Sequence, residues 1–152
     1  LSGDLLLKLE LDSNPNVLCV VRGAVERLAE VVGFAAPECR SIVRAVDEAL
    51  TNVIRHCYCG RLDQPIELRF RRVYRESGHG QEQGLEVVVC DHGSAVDRTK
   101  LCGRSLDEVR PGGLGLHFIQ ESMDSVEYER HNDTNLLRLT KYLQPAKLHQ
   151  GS

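Results

Sequence analysis

SVEYERHNDTNLLRLTKYL, Ser125 to Leu143, decides the architecture. "SVEYER" and "NLLRLTKYL" carry strand-forming residues, and "HNDT" between them supplies the Asn and Asp of a turn. The segment therefore predicts two antiparallel strands joined as a hairpin. A second hairpin is predicted upstream. "PIELRF" (Pro65–Phe70) alternates, and "LEVVVC" (Leu85–Cys90), apolar but for Glu86, suits a central strand covered on at least one side. The polar, glycine-rich "ESGHGQEQG" (Glu76–Gly84) reads as the loop between them.

Outward from these hairpins, "DLLLKLEL" (Asp4–Leu11) alternates, with Leu5, Leu7, Leu9 and Leu11 on one face and Lys8 and Glu10 on the other. That is a half-buried strand, and "SNPN" after it supplies turn and cap chemistry. From Asn16 to Val32 the residues Val17, Val20, Val21, Ala24, Leu28 and Val31 recur at helical spacing, and Gly33 is a stop signal. Pro37 suits the first turn of a second helix. Its apolar face runs through Ile42, Val46, Ala49 and Val53, and its end is expected near Tyr58 to Gly60. Residues 93–111 read as a loop or lid, and "LGLHFIQESM" as a short helix with Leu116, Ile119 and Met123 facing inward.

The order is strand, two helices, two strands, loop, helix, two strands. Hairpins dominate and helices do not alternate with strands, so the expected class is α+β: a two-layer sandwich whose mostly antiparallel (mixed) sheet carries helices on one face. One domain is expected over residues 1–144, with a frayed tail at 145–152. A chain of 152 residues is long enough to bury its own core. The net charge of -3 gives no reason to expect nucleic acid or an anionic membrane as partner. No apolar run approaches the roughly 20 residues of a membrane span, and no signal peptide is visible. The cysteines Cys19, Cys39, Cys57, Cys59, Cys90 and Cys102 read as reduced thiols of a cytosolic protein; Cys57-x-Cys59 has no second pair at zinc spacing.

Three stretches could carry chemistry. In "RPGGLGLHFIQ" (Arg110–Gln120), Gly115 is followed by Leu116 where a P-loop needs Lys, and Phe118 stands where a dinucleotide fingerprint needs its third glycine. What remains is a glycine turn opening a helix, either a flexible loop or a cradle whose bare amides approach an anion. In "DEALTNVIRH" (Asp47–His56), Glu48, Asn52 and Arg55 lie at i, i+4 and i+7 and share a polar face. They could serve as base, metal ligand and phosphate clamp, or form a solvated face with Glu48 paired to Arg44 or Arg55; His56 reads as a packing or capping residue. In "VVVCDHG" (Val87–Gly93), Asp91 could accept hydrogen bonds from a ligand's amino group while Gly93 lets the ligand approach, or the pair could simply open a turn.

Together, Glu-x-x-x-Asn on a helix, Asp-x-Gly after a strand and Gly-Gly-x-Gly opening a helix resemble, in that order, the N, G1 and G2 boxes of the GHKL ATPase superfamily. Within it the chain looks like the small bacterial anti-sigma-factor serine kinases of the RsbW and SpoIIAB type. "EALTNVIRH" and "PGGLGLHFIQESMDSVEY" carry most of the resemblance. It implies ATP and Mg²⁺ as cofactors, with Asn52 holding the metal, Glu48 as general base and Arg55 as a phosphate contact. It implies that Asp91 and Gly93 form the adenine end, that Gly112, Gly113, Leu114 and Gly115 close over the phosphates, and that Asn135 stands where relatives place a threonine near the base. The G1 box departs from its usual form, since Ala95 replaces a second glycine. The implied function is a cytoplasmic protein serine/threonine kinase that binds a sigma factor and phosphorylates a STAS-domain antagonist. Homodimers are common in such families. Two other classes fit the same residues: a nucleotide-binding interaction module without catalysis, and the catalytic domain of a sensor histidine kinase. The latter normally follows a helical dimerisation segment, which is not seen ahead of the first strand.

Overall fold

The structure, a computed structural model, describes residues 3–95 and 116–145. Its elements are β1 (Asp4–Asp12), α1 (Leu18–Val32), α2 (Ala36–Asn52), β2 (Pro65–Ser77), β3 (Gly80–Asp91), α3 (Leu116–Ser122), β4 (Ser125–His131) and β5 (Thr134–Tyr142). A 3-10 turn over Pro15–Val17 precedes α1, and a π-helical turn over Val53–Cys57 continues α2.

The five strands form one sheet in the order β1-β2-β3-β5-β4, and each of the four pairings is antiparallel. The period of two decides which side each residue serves. Ile66, Leu68, Phe70, Leu85, Val87, Val89 and Leu139 point to one side and join Val25, Ala29, Ile42, Ala45, Val46, Ala49 and Ile119 in a single core. Their sequence neighbours point to the other side and pair by charge: Lys8 with Glu67, and Arg138 with both Glu86 and Glu127. The result is an α+β sandwich with helices on one face. Within the helical layer α2 is central. Asp47 on one flank binds Arg22 of α1 at 2.8 Å, and Arg44 on the other lies 3.9 Å over the ring of Phe118 in α3.

Local signals hold at the helix ends. Gly33 stops α1 with φ 118°, its N–H bonded back to Ala29 and Glu30. Pro37 lies in the first turn of α2, and the Glu38 carboxylate accepts the N–H of Ala35. Ile119 and Met123 of the short helix are buried as expected.

Three local expectations are revised. The "ESGHGQEQG" loop shrinks to the two-residue turn Gly78–His79, because β2 and β3 stay paired as far as Ser77 opposite Gly80. Gly80 takes the left-handed φ of 100° that closes the turn. In β1 the pairing register shifts between Leu5 and Leu7. This bulge leaves Leu5 exposed while Leu6, Leu7, Leu9 and Leu11 pack against the core. On α1 the buried stripe is Leu18, Val21, Val25, Ala29 and Val32, whereas Val20 and Val31 are 70% and 61% exposed. Among the described residues, only the stripe of this helix that faces the sheet and α2 has a neighbour.

Candidate functional site

The site is organised by a row of residues across three strands. Arg130 of β4 stands directly opposite Asn135 of β5, and Asn135 directly opposite Asp91 of β3. The β4–β5 hairpin sets this row: its loop is Asn132–Asp133, with Asn132 at φ 53°, so His131 faces Thr134 and Arg130 faces Asn135. Asp91 and Asn135 are 2% and 1% exposed. Asp91 Oδ1 accepts the Gly93 N–H at 2.9 Å and the Asn135 Nδ2–H at 2.8 Å. Burial pushes the Asp91 carboxyl above its ordinary range; the hydrogen bonds from Asn135 and Gly93 pull the other way.

Asn135 is saturated by the protein. Its Oδ1 accepts from the Tyr128 hydroxyl at 2.6 Å and from Arg130 at 2.7 Å, and its Nδ2 donates to Asp91 and to the Ser94 carbonyl at 3.0 Å. It therefore orients Asp91 rather than offering a group of its own to a ligand. Gly93 also has a reason different from the one read in the sequence. A Cβ there would stand 2.6 Å from the carbonyl carbon of Cys57 and closer still to its oxygen. The absence of a side chain lets the turn after β3 lie on the end of α2, where the Ser94 N–H donates to the Cys57 carbonyl.

The π-helical turn makes that contact. The Tyr58 N–H bonds five residues back to Val53, and Cys59 and Gly60 follow with left-handed φ values of 52° and 82°. Tyr58 is buried; its hydroxyl accepts the His92 N–H at 2.8 Å and donates to the Pro65 carbonyl. One side chain thus joins the end of α2, the turn after β3 and the start of β2. Cys57 is buried beside Asp91, and burial followed by that negative charge pushes its thiol up to about 12.

Glu48 and Asn52 lie half-buried on α2, one and two turns beyond Arg44, on the flank turned toward α3. Asn52 stands five residues before Cys57, on whose backbone Gly93 lies. Arg55 is exposed and lines a pocket of about 270 Å³ with Pro15, Leu18, Thr51 and Leu62. Gly112, Gly113, Leu114 and Gly115 lie outside the described residues, as do the lid residues 97–110 and the tail beyond Pro145.

Tyr128 and Arg130 were missed in the sequence. The available signal was the alternation of "SVEYER", which puts both on one face, together with the register fixed by "HNDT".

Residues 11–141 match the family described as Histidine kinase-like ATPase domain. A Serine-protein kinase RsbW of Bacillus pumilus is 28% identical over 94% of this chain and 89% of its own length. The Serine/threonine-protein kinase BtrW of Bordetella bronchiseptica is 30% identical over 69% of this chain and 71% of its own. The fold recurs in the crystal structure of the SiaB–SiaC complex from Pseudomonas aeruginosa, with TM-score 0.56, 13% identity and coverage of 93% of this chain and 92% of that one. It recurs also in the RsbU and RsbW domains of Rv1364c from Mycobacterium tuberculosis, with TM-score 0.57 and 17% identity. That match covers 93% of this chain but only 34% of the solved one. The chain belongs to the histidine kinase-like ATPase domain family, in its serine/threonine-protein-kinase branch.

Proposed function

We propose that this chain is an ATP-dependent protein serine/threonine kinase that acts as an anti-sigma factor, binding a sigma factor and phosphorylating a STAS-domain antagonist in the cytoplasm. The observation that carries the nucleotide end is Asp91, a carboxylate buried at the end of β3 and held by Asn135 and Gly93. Both protein bonds fall on Oδ1, so Oδ2 is the oxygen that would accept the adenine amino group.

The donor set fits MgATP. Among the described residues no group of three or more His, Cys, Asp or Glu could cage a metal. Asn52 supplies one neutral oxygen, which suits an ion carried mainly by phosphates and water. Such an ion would neutralise phosphate charge during transfer. Glu48, one turn away on the same flank, would take the proton of a substrate serine or threonine hydroxyl. Gly112, Gly113, Leu114 and Gly115 are assigned to the phosphates from the sequence, and Arg55 to a phosphate contact only if its side chain reaches across from its own pocket.

The partners rest on the relatives' names, a serine-protein kinase RsbW and a complex of SiaB with SiaC. No described helix is long and apolar enough to cross a membrane. Dimerisation is carried over from the sequence resemblance alone.

The test is phosphoryl transfer from labelled MgATP to a candidate STAS-domain antagonist, comparing wild type with Glu48→Gln. Transfer is expected with the wild type and is expected to fall by about a hundredfold or more in the variant. Unchanged transfer in Glu48→Gln would remove Glu48 from the base role. ATP binding without transfer to any STAS partner would leave a binding module.

A further inference from the structure

The end of α2 shares a cavity with the turn ahead of α1, one helical turn beyond Glu48. We propose that this cavity is the docking pocket for the protein substrate, and that it takes an apolar side chain, accompanied by a carboxylate, close in sequence to the acceptor serine or threonine. The inference rests on the kinase reading with Glu48 as base and adds to it the chemistry of the segment that the kinase accepts.

The cavity holds about 270 Å³. Pro15 and Leu18 line it from the entrance to α1, Thr51, Ile54 and Arg55 from the end of α2, and Leu62 from the loop that follows. Leu18 and Ile54 are buried, whereas Leu62 is 54% exposed. A single exposed leucine is ordinary on a protein surface. This one is held in place beside an apolar hollow. Gly60, at φ 82°, turns the chain there, and its N–H bonds to the Ile54 carbonyl at 2.8 Å. The Ser13 hydroxyl then donates to the Arg61 carbonyl and accepts the Gln64 N–H, so the loop is pinned on both sides of Leu62. A fixed leucine loses little freedom when a partner covers it, and its burial is favourable. Arg55 adds a charge to the same lining. It is exposed and forms no ion pair among the described residues, so its guanidinium is open to a carboxylate brought by the partner.

Position selects the occupant. Thr51 and Arg55 follow Glu48 and Asn52 by three residues each, close to one helical turn. The hydroxyl to be phosphorylated must come within hydrogen-bond reach of Glu48. From there the cavity lies roughly 5–10 Å further along α2, a span that two or three residues of extended chain cover. A side chain that near the acceptor residue meets Leu62, Leu18 and Ile54, and a neighbouring carboxylate meets Arg55.

The experiment is steady-state phosphoryl transfer from MgATP to the candidate STAS-domain antagonist, using the full chain as wild type, Leu62→Met, Leu62→Asn and Leu62→Asp. Thermal melting checks each fold, and calorimetry gives each ATP affinity. Leu62→Asn is expected to raise KM for the protein substrate about tenfold while kcat and ATP affinity stay at wild type. Leu62→Met is expected to match wild type. Leu62→Asp places a second carboxylate beside Arg55 and is expected to raise KM further, with the extra loss vanishing at high salt. An unchanged KM in Leu62→Asn overturns the inference, and an equal KM in Leu62→Asn and Leu62→Asp overturns its acidic half. A fall in ATP affinity that matches the fall in kcat/KM gives the cavity to the nucleotide. An unchanged KM with self-association lost in sedimentation gives it to a second copy of the chain. Either result overturns the inference. A wild type that binds ATP but transfers to no antagonist overturns the kinase reading, and this inference falls with it.

Discussion

The two ends of strand β3 handle charge in opposite ways. At the hairpin end, Glu82 pairs with Arg75 at 2.6 Å, and the Arg75 guanidinium lies 3.9 Å over the ring of Tyr142. These groups reach solvent, and water stands in for any partner that is lost. At the other end, Asp91 is enclosed and its carboxyl is raised by burial, with an amide and a backbone N–H as its donors and Arg130 bonded in turn to that amide. A fold has no need of a carboxylate there; an apolar residue in the same strand would bury more comfortably. The difference teaches that a solvated ion pair can be lost at little cost, whereas an enclosed carboxylate calls for a reason, which the proposed function supplies as a ligand.

The largest effect that would break this contrast is expected from Gly93→Ala. The new methyl group would collide with the Cys57 backbone, and neither partner is a flexible side-chain tip. Overpacking of this kind costs about 1–3 kcal/mol. Because the shift moves the turn beside Asp91, ATP binding is expected to vanish from a calorimetric titration while a lowered melting temperature reports the strain.

Acidification comes next. Protonation removes Asp91 as an acceptor, and burial sets that protonation above the ordinary aspartate value of about 3.9. ATP affinity is expected to fall with decreasing pH from above that range. Stability should move the other way. A carboxyl raised in the folded state contributes stability at low pH that is lost as pH rises through its folded value. Opposite signs in binding and in melting of the nucleotide-free protein, measured over the same pH series, would tie both to one buried group.

Thiol labelling gives a smaller and sharper test of the junction between α2 and the turn after β3. Cys19 and Cys59 are exposed, whereas Cys57 is buried with its thiol pushed up to about 12. Iodoacetamide at pH 8 is expected to modify the first two and spare Cys57 until the protein is unfolded, as read by mass spectrometry. The smallest effect belongs to the hairpin end. Arg75→Met is expected to leave both ATP affinity and melting temperature essentially where they were.

Much of this was legible in the sequence because hairpins and amphipathic helices announce themselves through period and punctuation. Gly33, Pro37 and the alternation of "PIELRF" each act within a few residues of themselves. The stretch from Asp47 to His56 and Asp91 were singled out for the same reason: their spacing is local. The bulge after Leu5 depends on pairing with β2, and the exposure of Val20 and Val31 depends on which side of α1 the other described elements cover. The reason for Gly93 lies in Cys57, 36 positions away in sequence and brought close only by the π-helical turn. Asn135 was placed near the base by resemblance, yet its role follows from Tyr128 and Arg130, which matter only once β4 lies beside β5.

The central claim, that the buried acid of β3 exists to read a nucleotide, is tested most directly by Asp91→Asn. The variant keeps the shape of the side chain and relieves a buried charge. Titration with MgATP is expected to show affinity reduced by about tenfold or more, while the melting temperature stays level or rises. Wild-type affinity in Asp91→Asn, or a collapse of the fold with no separate effect on binding, would contradict the claim.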